Sequence, residues 1–396
     1  MAVRRDGELA GPVSLRRLQS PARIGNVRPG MGGAALPYRP QLDGLRCLAA
    51  LSVLVCHFAP QGGRVLGAFR WGDAGVQLFF VLSGFLITSI VLRIGVDADR
   101  AGQRTAVTLR RFYARRFLRI LPPYYALLAV TAALNVPGVR DAIGWHLTYT
   151  TNVHLARVGE WRDNVFHFWT LAVEEQFYLV WPAVILWGPR RLLAPCCLVA
   201  MMAGPAYRLV ATQAGWTETM VYVLPIANVD TLAAGALLAL LGADPASRGA
   251  HDRLLALGRR VGIPVALATI VARNLGVPEA VESHVWRASL VLVGPWLVAG
   301  ATTGFGGMAR RVLESRPALY LGKVSYGIYL YHVFAPLVVD RVAPSLGLGA
   351  VPHVVTAAAW SVVTLGVAVL SWHLLEAPLA RRRRRLPYVV AAPRDP

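Results

Sequence analysis

Lysine is nearly absent: Lys323 is the single one in 396 residues. Charge of either sign is scarce, 16% of the chain against roughly 25% in an ordinary soluble domain. There are four cysteines, Cys47, Cys56, Cys196 and Cys197, all inside apolar stretches. No CxxC and no Cys/His spacing appears, so neither a disulfide framework nor a metal site is supported. Residues 1–37 hold Gly, Pro and Arg but no apolar core, which argues against a secretory leader. They read as a flexible basic cytoplasmic tail. No internal repeat is visible.

What the chain does have is apolar residues, 55% of the total, and a net charge of +20. A basic balance can mark a nucleic-acid binder, but here the arginines stand between apolar runs instead of forming a patch. They read as topology signals, with the bilayer as partner and no nucleic acid. Runs of the roughly 20 apolar residues that a spanning helix needs fall near 42–59, 75–92, 120–134, 168–187, 192–211, 220–241, 261–274, 285–303, 320–340 and 352–375. With the N-terminus placed in the cytoplasm, the segments on that side hold 31 Lys and Arg and those opposite hold 6. That bias favours an even number of spans. The expectation is an all-α integral membrane protein of the cell membrane, with about ten transmembrane helices around a polar cavity and both termini cytoplasmic. A transmembrane domain over 38–380 would follow the tail 1–37 and precede a basic C-terminal tail, 381–396, whose Arg381–Arg385 run reads as a lipid headgroup anchor.

The first span, "LDGLRCLAALSVLVCHF" (Leu42–Phe58), carries Asp43, Arg46 and His57. Arg46 and His57 are 11 residues apart, about 20° from three full turns, so they share a face, and about 16 Å separates them along the axis. Asp43 joins that stripe. Intramembrane ionisable groups are costly and generally face a cavity or a partner. A plainer reading stays open, in which Arg46 snorkels and pairs with Asp43 while His57 caps the outer end.

An Arg, ten residues and a His in this setting resemble the opening motif of the acyltransferase family 3 membrane proteins, relatives of bacterial O-antigen acetylases. Five further blocks resemble the family in the same order: "GVQLFFVLSGFLIT" (Gly75–Thr88), "RRFLRILPPYY" (Arg115–Tyr125) with Arg116 and Arg119 in an Arg-x-x-Arg pattern, "FWTLAVEEQFYLVWP" (Phe168–Pro182), "LGKVSYGIYLYH" (Leu321–His332) and "LLEAP" (Leu374–Pro378). The chain departs from the family pattern at Gln77, where an acid is frequent, at Thr170, where Ser is common, and at Gly327, where a small hydroxyl residue is frequent.

The resemblance implies transfer of an acyl group, often acetyl, from a coenzyme A thioester to a hydroxyl. Such chemistry needs a base, a stabiliser of the oxyanion and a grip on the donor's phosphates. His57 is the candidate base. Glu174, on the helical face Thr170–Glu174–Tyr178–Trp181, is its candidate orienting partner or an alternative base, at a depth like that of His57. Arg46, Arg116 and Arg119 are the candidate donor-binding residues, since guanidinium forks match phosphate. The positive-inside rule alone accounts for many of the neighbouring arginines.

Asp43, Tyr178, Asp230, Tyr329 and His332 are candidates for the acceptor site or the cavity wall. For Asp230, pairing with an intramembrane Arg such as Arg46 or Arg208 is equally open. No metal and no resident cofactor are expected; acyl-CoA is a co-substrate. The acceptor implied is a sugar hydroxyl, in a surface glycan or a glycosylated metabolite. A multi-span transporter with a His/Glu proton relay is the rival reading.

Overall fold

The computed structural model describes residues 38–59, 69–161, 164–346 and 351–389. The tail 1–37, the last residues of the C-terminal tail, Arg64 and Arg162 lie outside the described residues. Among the described residues the chain is helical throughout, without strands.

Six helices are long and apolar enough to cross a membrane: α1 (Pro40–Phe58), α2 (Trp71–Arg100), α7 (Arg190–Gln213), α10 (Pro245–Asn274), α11 (Glu279–Thr303) and α16 (His353–Arg384). Between them come α3 (Thr105–Ala133), α4 (Ile143–Leu147), α5 (Thr151–Val158), α6 (Phe168–Trp187), α8 (Glu218–Val223) and α9 (Val229–Ala243). The later insertions are α12 (Gly307–Leu313), α13 (Arg316–Lys323), α14 (Ser325–Tyr331) and α15 (Phe334–Val342). The outward faces suit lipid. Leu198, Val199, Met202 and Val210 on α7, and Val354, Val362 and Leu370 on α16, are all exposed, more apolar surface than a soluble monomer tolerates. The chain is a multi-pass helical membrane protein.

The apolar runs underestimate several helices, because hydropathy marks only the part in lipid. The run at 75–92 belongs to a helix of 30 residues, whose end carries an Arg93–Asp97 pair at i, i+4. The run at 120–134 is the second half of α3. Arginine is a good helix former, so Arg110 to Arg119 ride on the helix and not in a loop. Two other runs are broken. In 220–241, Pro225 lacks the N–H that would bond Val221, and a single 3₁₀ turn separates α8 from α9. In 320–340, Pro336 cannot donate to the His332 carbonyl four residues back, and the helix stops at Tyr331 and restarts at Phe334.

At the centre, α2 packs on α1, α9, α11 and α6. Its closest approach is to α9. A Cβ on Gly84 would sit 1.9 Å from the Leu232 carbonyl oxygen, and one on Gly235 would sit 2.0 Å from that of Val81. Helices in lipid gain little from apolar burial and associate through such close packing. The small residues of "AAGALLA" (Ala233–Ala239) form that face of α9. At the end of α3, α4 packs on it, and α5 packs on α6 and α8. The Tyr124 hydroxyl donates to the His146 carbonyl at 2.8 Å, and the Tyr124 and Tyr149 rings stack at 4.3 Å.

Candidate active site

Three histidines meet at one end of the bundle. His57 closes the last turn of α1, His332 occupies the break imposed by Pro336, and His167 precedes α6. The His57 and His332 rings stand edge to face at 4.8 Å between centroids, and His332 and His167 at 5.2 Å. Each ring is fixed by a backbone carbonyl, which can only accept. His57 Nδ1 donates to Val53 at 2.9 Å, His332 Nδ1 to Tyr329 at 2.6 Å, and His167 Nε2 to Leu330 at 3.1 Å. In the neutral rings the other nitrogens, His57 Nε2, His332 Nε2 and His167 Nδ1, therefore carry lone pairs. The His332 and His167 lone-pair nitrogens are buried without a partner among the described residues. His57 has protein on most sides yet presents an exposed surface.

Below the histidines, α6 presents Thr170, Glu174, Tyr178 and Trp181 at helical spacing. Thr170 Oγ1 and the Tyr329 hydroxyl are 2.5 Å apart. One turn further on, Ser83 Oγ donates to Glu174 Oε1 at 2.6 Å and accepts from the Tyr178 hydroxyl at 2.6 Å. Tyr178 in turn lies under the Arg116 guanidinium, 3.9 Å from ring centroid to Cζ. Trp181 Nε1 donates to Thr88 at 2.8 Å. Polar groups thus form a column, from His57, His332 and His167 through Thr170 and Tyr329 to Glu174, Ser83, Tyr178 and Arg116.

The end of the column opposite the histidines is cationic. Arg119 lies within electrostatic reach of Arg116, Arg46 and Arg383. It too is hemmed in by protein and still exposed to solvent. Arg46 Nη1 binds Asp43 Oδ1 at 2.7 Å, and the Tyr38 hydroxyl takes Asp43 Oδ2 at 2.9 Å. The plainer pairing considered for Arg46 is therefore present, and Asp43 lies at the opposite end of α1 from the histidines, about 21 Å away along the axis.

Two expectations are corrected. Glu174 does not share the depth of His57. It lies seven residues, about 10 Å, below His167, and its carboxylate is engaged by Ser83. Asp230 is off the column altogether. It is buried in an ion pair with Arg208 at 2.8 Å and accepts the Thr231 N–H at 3.0 Å, which ties α9 to α7. The other residues named from the sequence (His57, His332, Tyr329, Tyr178, Arg116, Arg119, Arg46) are distributed along the column.

Sequence reading overlooked His167 and Ser83. His167 immediately precedes the Phe168 block, and Ser83 is the one hydroxyl in the second block before Thr88. Those two positions were the available signals. No group of His, Cys, Asp and Glu among the described residues is arranged to hold a metal ion. Two pockets lie apart from the histidines. One, of about 180 Å³, is bordered by Asp99, Thr105, Thr108 and Arg190, where the end of α2, the start of α3 and the end of α6 meet. The other, of about 240 Å³, is apolar and bordered by α1, α2, α10 and α11.

Comparison with known proteins bears on the chemistry. The chain is 28% identical over 369 residues to YrhL of Bacillus subtilis, named as a candidate peptidoglycan O-acetyltransferase, with 86% of this chain and 55% of that protein covered. It is 25% identical over 370 residues to the peptidoglycan O-acetyltransferase OatA of Listeria monocytogenes, covering 87% of this chain and 56% of that one. With the O-acetyltransferase OatA of Staphylococcus aureus it shares 24% over 316 residues, 74% of this chain and 50% of that one. The chain spans about half the length of these relatives. No solved structure matches it. The sequence model of the acyltransferase domain matches residues 39–375, and the chain belongs to that family.

Proposed function

We propose that the protein is a membrane O-acyltransferase. It moves an acyl group, acetyl by analogy with the names of its relatives, from a coenzyme A thioester to a hydroxyl of a surface glycan, with peptidoglycan the first candidate acceptor. The observation that carries this reading is the column joining a guanidinium cluster at one end to the free nitrogen of a backbone-fixed histidine at the other. Arg116, Arg119 and Arg46 hold the donor's phosphates, and the pantetheine arm extends along Thr170, Glu174 and Tyr178. His57 Nε2 takes the proton from the acceptor hydroxyl as its oxygen attacks the thioester carbon. The C–S bond then breaks and the departing sulfur receives that proton from Nε2. The Thr170 and Tyr329 hydroxyls hold one proton between them and direct the other at the His167 carbonyl; turning that second proton supplies one donor to the intermediate oxyanion. Glu174 acts on the donor side of the column through Ser83 and Tyr178. Ten spans with both termini cytoplasmic, in the cell membrane, place the two ends of the column on opposite sides of the bilayer. The four segments beyond the six long apolar helices are those that carry charge or are broken.

The test compares surface glycans, including peptidoglycan digests, from wild type, a deletion strain and the deletion carrying His57→Ala. The expected outcome is one species lacking an acyl mass in the deletion, restored by the wild-type gene and not by His57→Ala at equal protein level. Full restoration by His57→Ala removes His57 from the chemistry; no shifted species in the deletion removes the enzyme reading.

A further inference from the structure

The end of α16 and the residues after it lie beyond the segment matched to the family, which stops at residue 375. They fold back on α3. Arg115 Nη1 donates to the carbonyls of Arg383, at 2.7 Å, and of Leu386. Arg111 Nη1 reaches the Pro387 carbonyl at 2.9 Å, and Gln103 Nε2 reaches that of Tyr388 at 3.0 Å. The Arg115 guanidinium also lies over the Tyr388 ring at 4.1 Å. Three side chains of the loop before α3 and of α3 itself thus bind the C-terminal segment by its backbone, as a strap.

The strap turns one arginine inward. Arg383 is half-buried, whereas Arg382 and Arg384 are exposed. Its charge lies within reach of Arg115, Arg116 and Arg119. No ion pair among the described residues involves Arg116, Arg119 or Arg383, and the Nε atoms of Arg115 and Arg116 are buried without a partner. Glu174, Glu175 and Glu376 lie within electrostatic reach of Arg119, the first two also of Arg116, whereas the groups within reach of Arg383 are Arg115, Arg116, Arg119, Arg384 and Tyr388. A guanidinium set among like charges suits an added polyanion, phosphate in particular. Arg381, Arg382, Arg384 and Arg385 are exposed, as a lipid headgroup anchor requires, and Arg383 alone of the five is turned inward.

We propose that Arg383, carried on this strap, is a fourth guanidinium of the donor site, beside Arg46, Arg116 and Arg119, and binds the phosphates of the nucleotide end. The inference rests on the coenzyme A reading above. It makes the strap a specificity element, favouring donors that bear phosphate over thioesters that lack it.

The full chain, in nanodiscs of zwitterionic lipid, is titrated with acetyl-coenzyme A and with acetylpantetheine, which lacks the nucleotide. Arg383→Gln should weaken acetyl-coenzyme A binding about tenfold, the scale of one lost charged contact, with acetylpantetheine unaffected. Arg383→Lys should recover part of the loss, and Arg382→Gln, with the same change in charge, should bind like wild type. Equal weakening toward both ligands, equal effects of Arg382→Gln and Arg383→Gln, or no effect overturns the inference and leaves the coenzyme A reading standing. An effect confined to nanodiscs of anionic lipid assigns Arg383 to headgroups and overturns it too. Wild-type protein that does not bind acetyl-coenzyme A defeats the donor reading itself, and this inference with it.

Discussion

A histidine becomes a usable base when one nitrogen is committed and the other is free. Here a carbonyl commits one nitrogen in each of His57, His332 and His167. The difference among them is access, since His57 alone of the three is exposed while the other two are buried. Asp230 and Arg208 show the opposite arrangement, with both partners buried and each engaged by the other. Asp230→Asn leaves the Arg208 charge uncompensated and should lower stability by about 3–5 kcal/mol, read as earlier thermal unfolding in detergent. Asp230→Leu with Arg208→Met should recover most of that loss. Acyl transfer per folded molecule should stay unchanged in the double variant, because the pair is off the column. The depth of Glu174 could not be read from the sequence, because spacing along one helix fixes a face and not the partner it meets. The hydroxyl that engages it, Ser83, comes from a different helix.

At the scale of elements, proline and glycine decide most of the departures from simple spans. Pro336 opens the helix where His332 sits, and Gly84 with Gly235 lets α2 and α9 touch backbone to backbone. Gly235→Ala brings a Cβ against the Val81 carbonyl and should destabilise by about 1–3 kcal/mol. Gly242→Ala, on the same helix, meets only the His251 side chain at 3.9 Å. It should be neutral or gain up to about 1 kcal/mol, since alanine holds a helix better than glycine. Thermal unfolding of the two variants in one detergent separates these outcomes; equal shifts would contradict the close-packing account. Six of the ten apolar runs fall on helices long and apolar enough to cross a membrane, because lipid imposes that composition directly. The runs missed helix ends and breaks, which depend on arginine's helix propensity and on prolines that cannot donate to the preceding turn.

Taken as a whole molecule, the six long apolar helices supply His57, Arg46 and Ser83 to the column from α1 and α2, and the other column residues come from elsewhere. Helices α3, α6 and α14 carry arginines, carboxylates or breaks, and they hold most of the site. The column runs from guanidiniums to imidazoles, and on the proposed topology it crosses the bilayer. The measurement that tests this most directly uses sealed vesicles with acetyl-coenzyme A supplied only on the side of the termini and peptidoglycan fragments only on the other. The account predicts acetylated fragments in the second compartment with wild-type protein, and none with His57→Ala. Product formed only when donor and fragments share one compartment would contradict it.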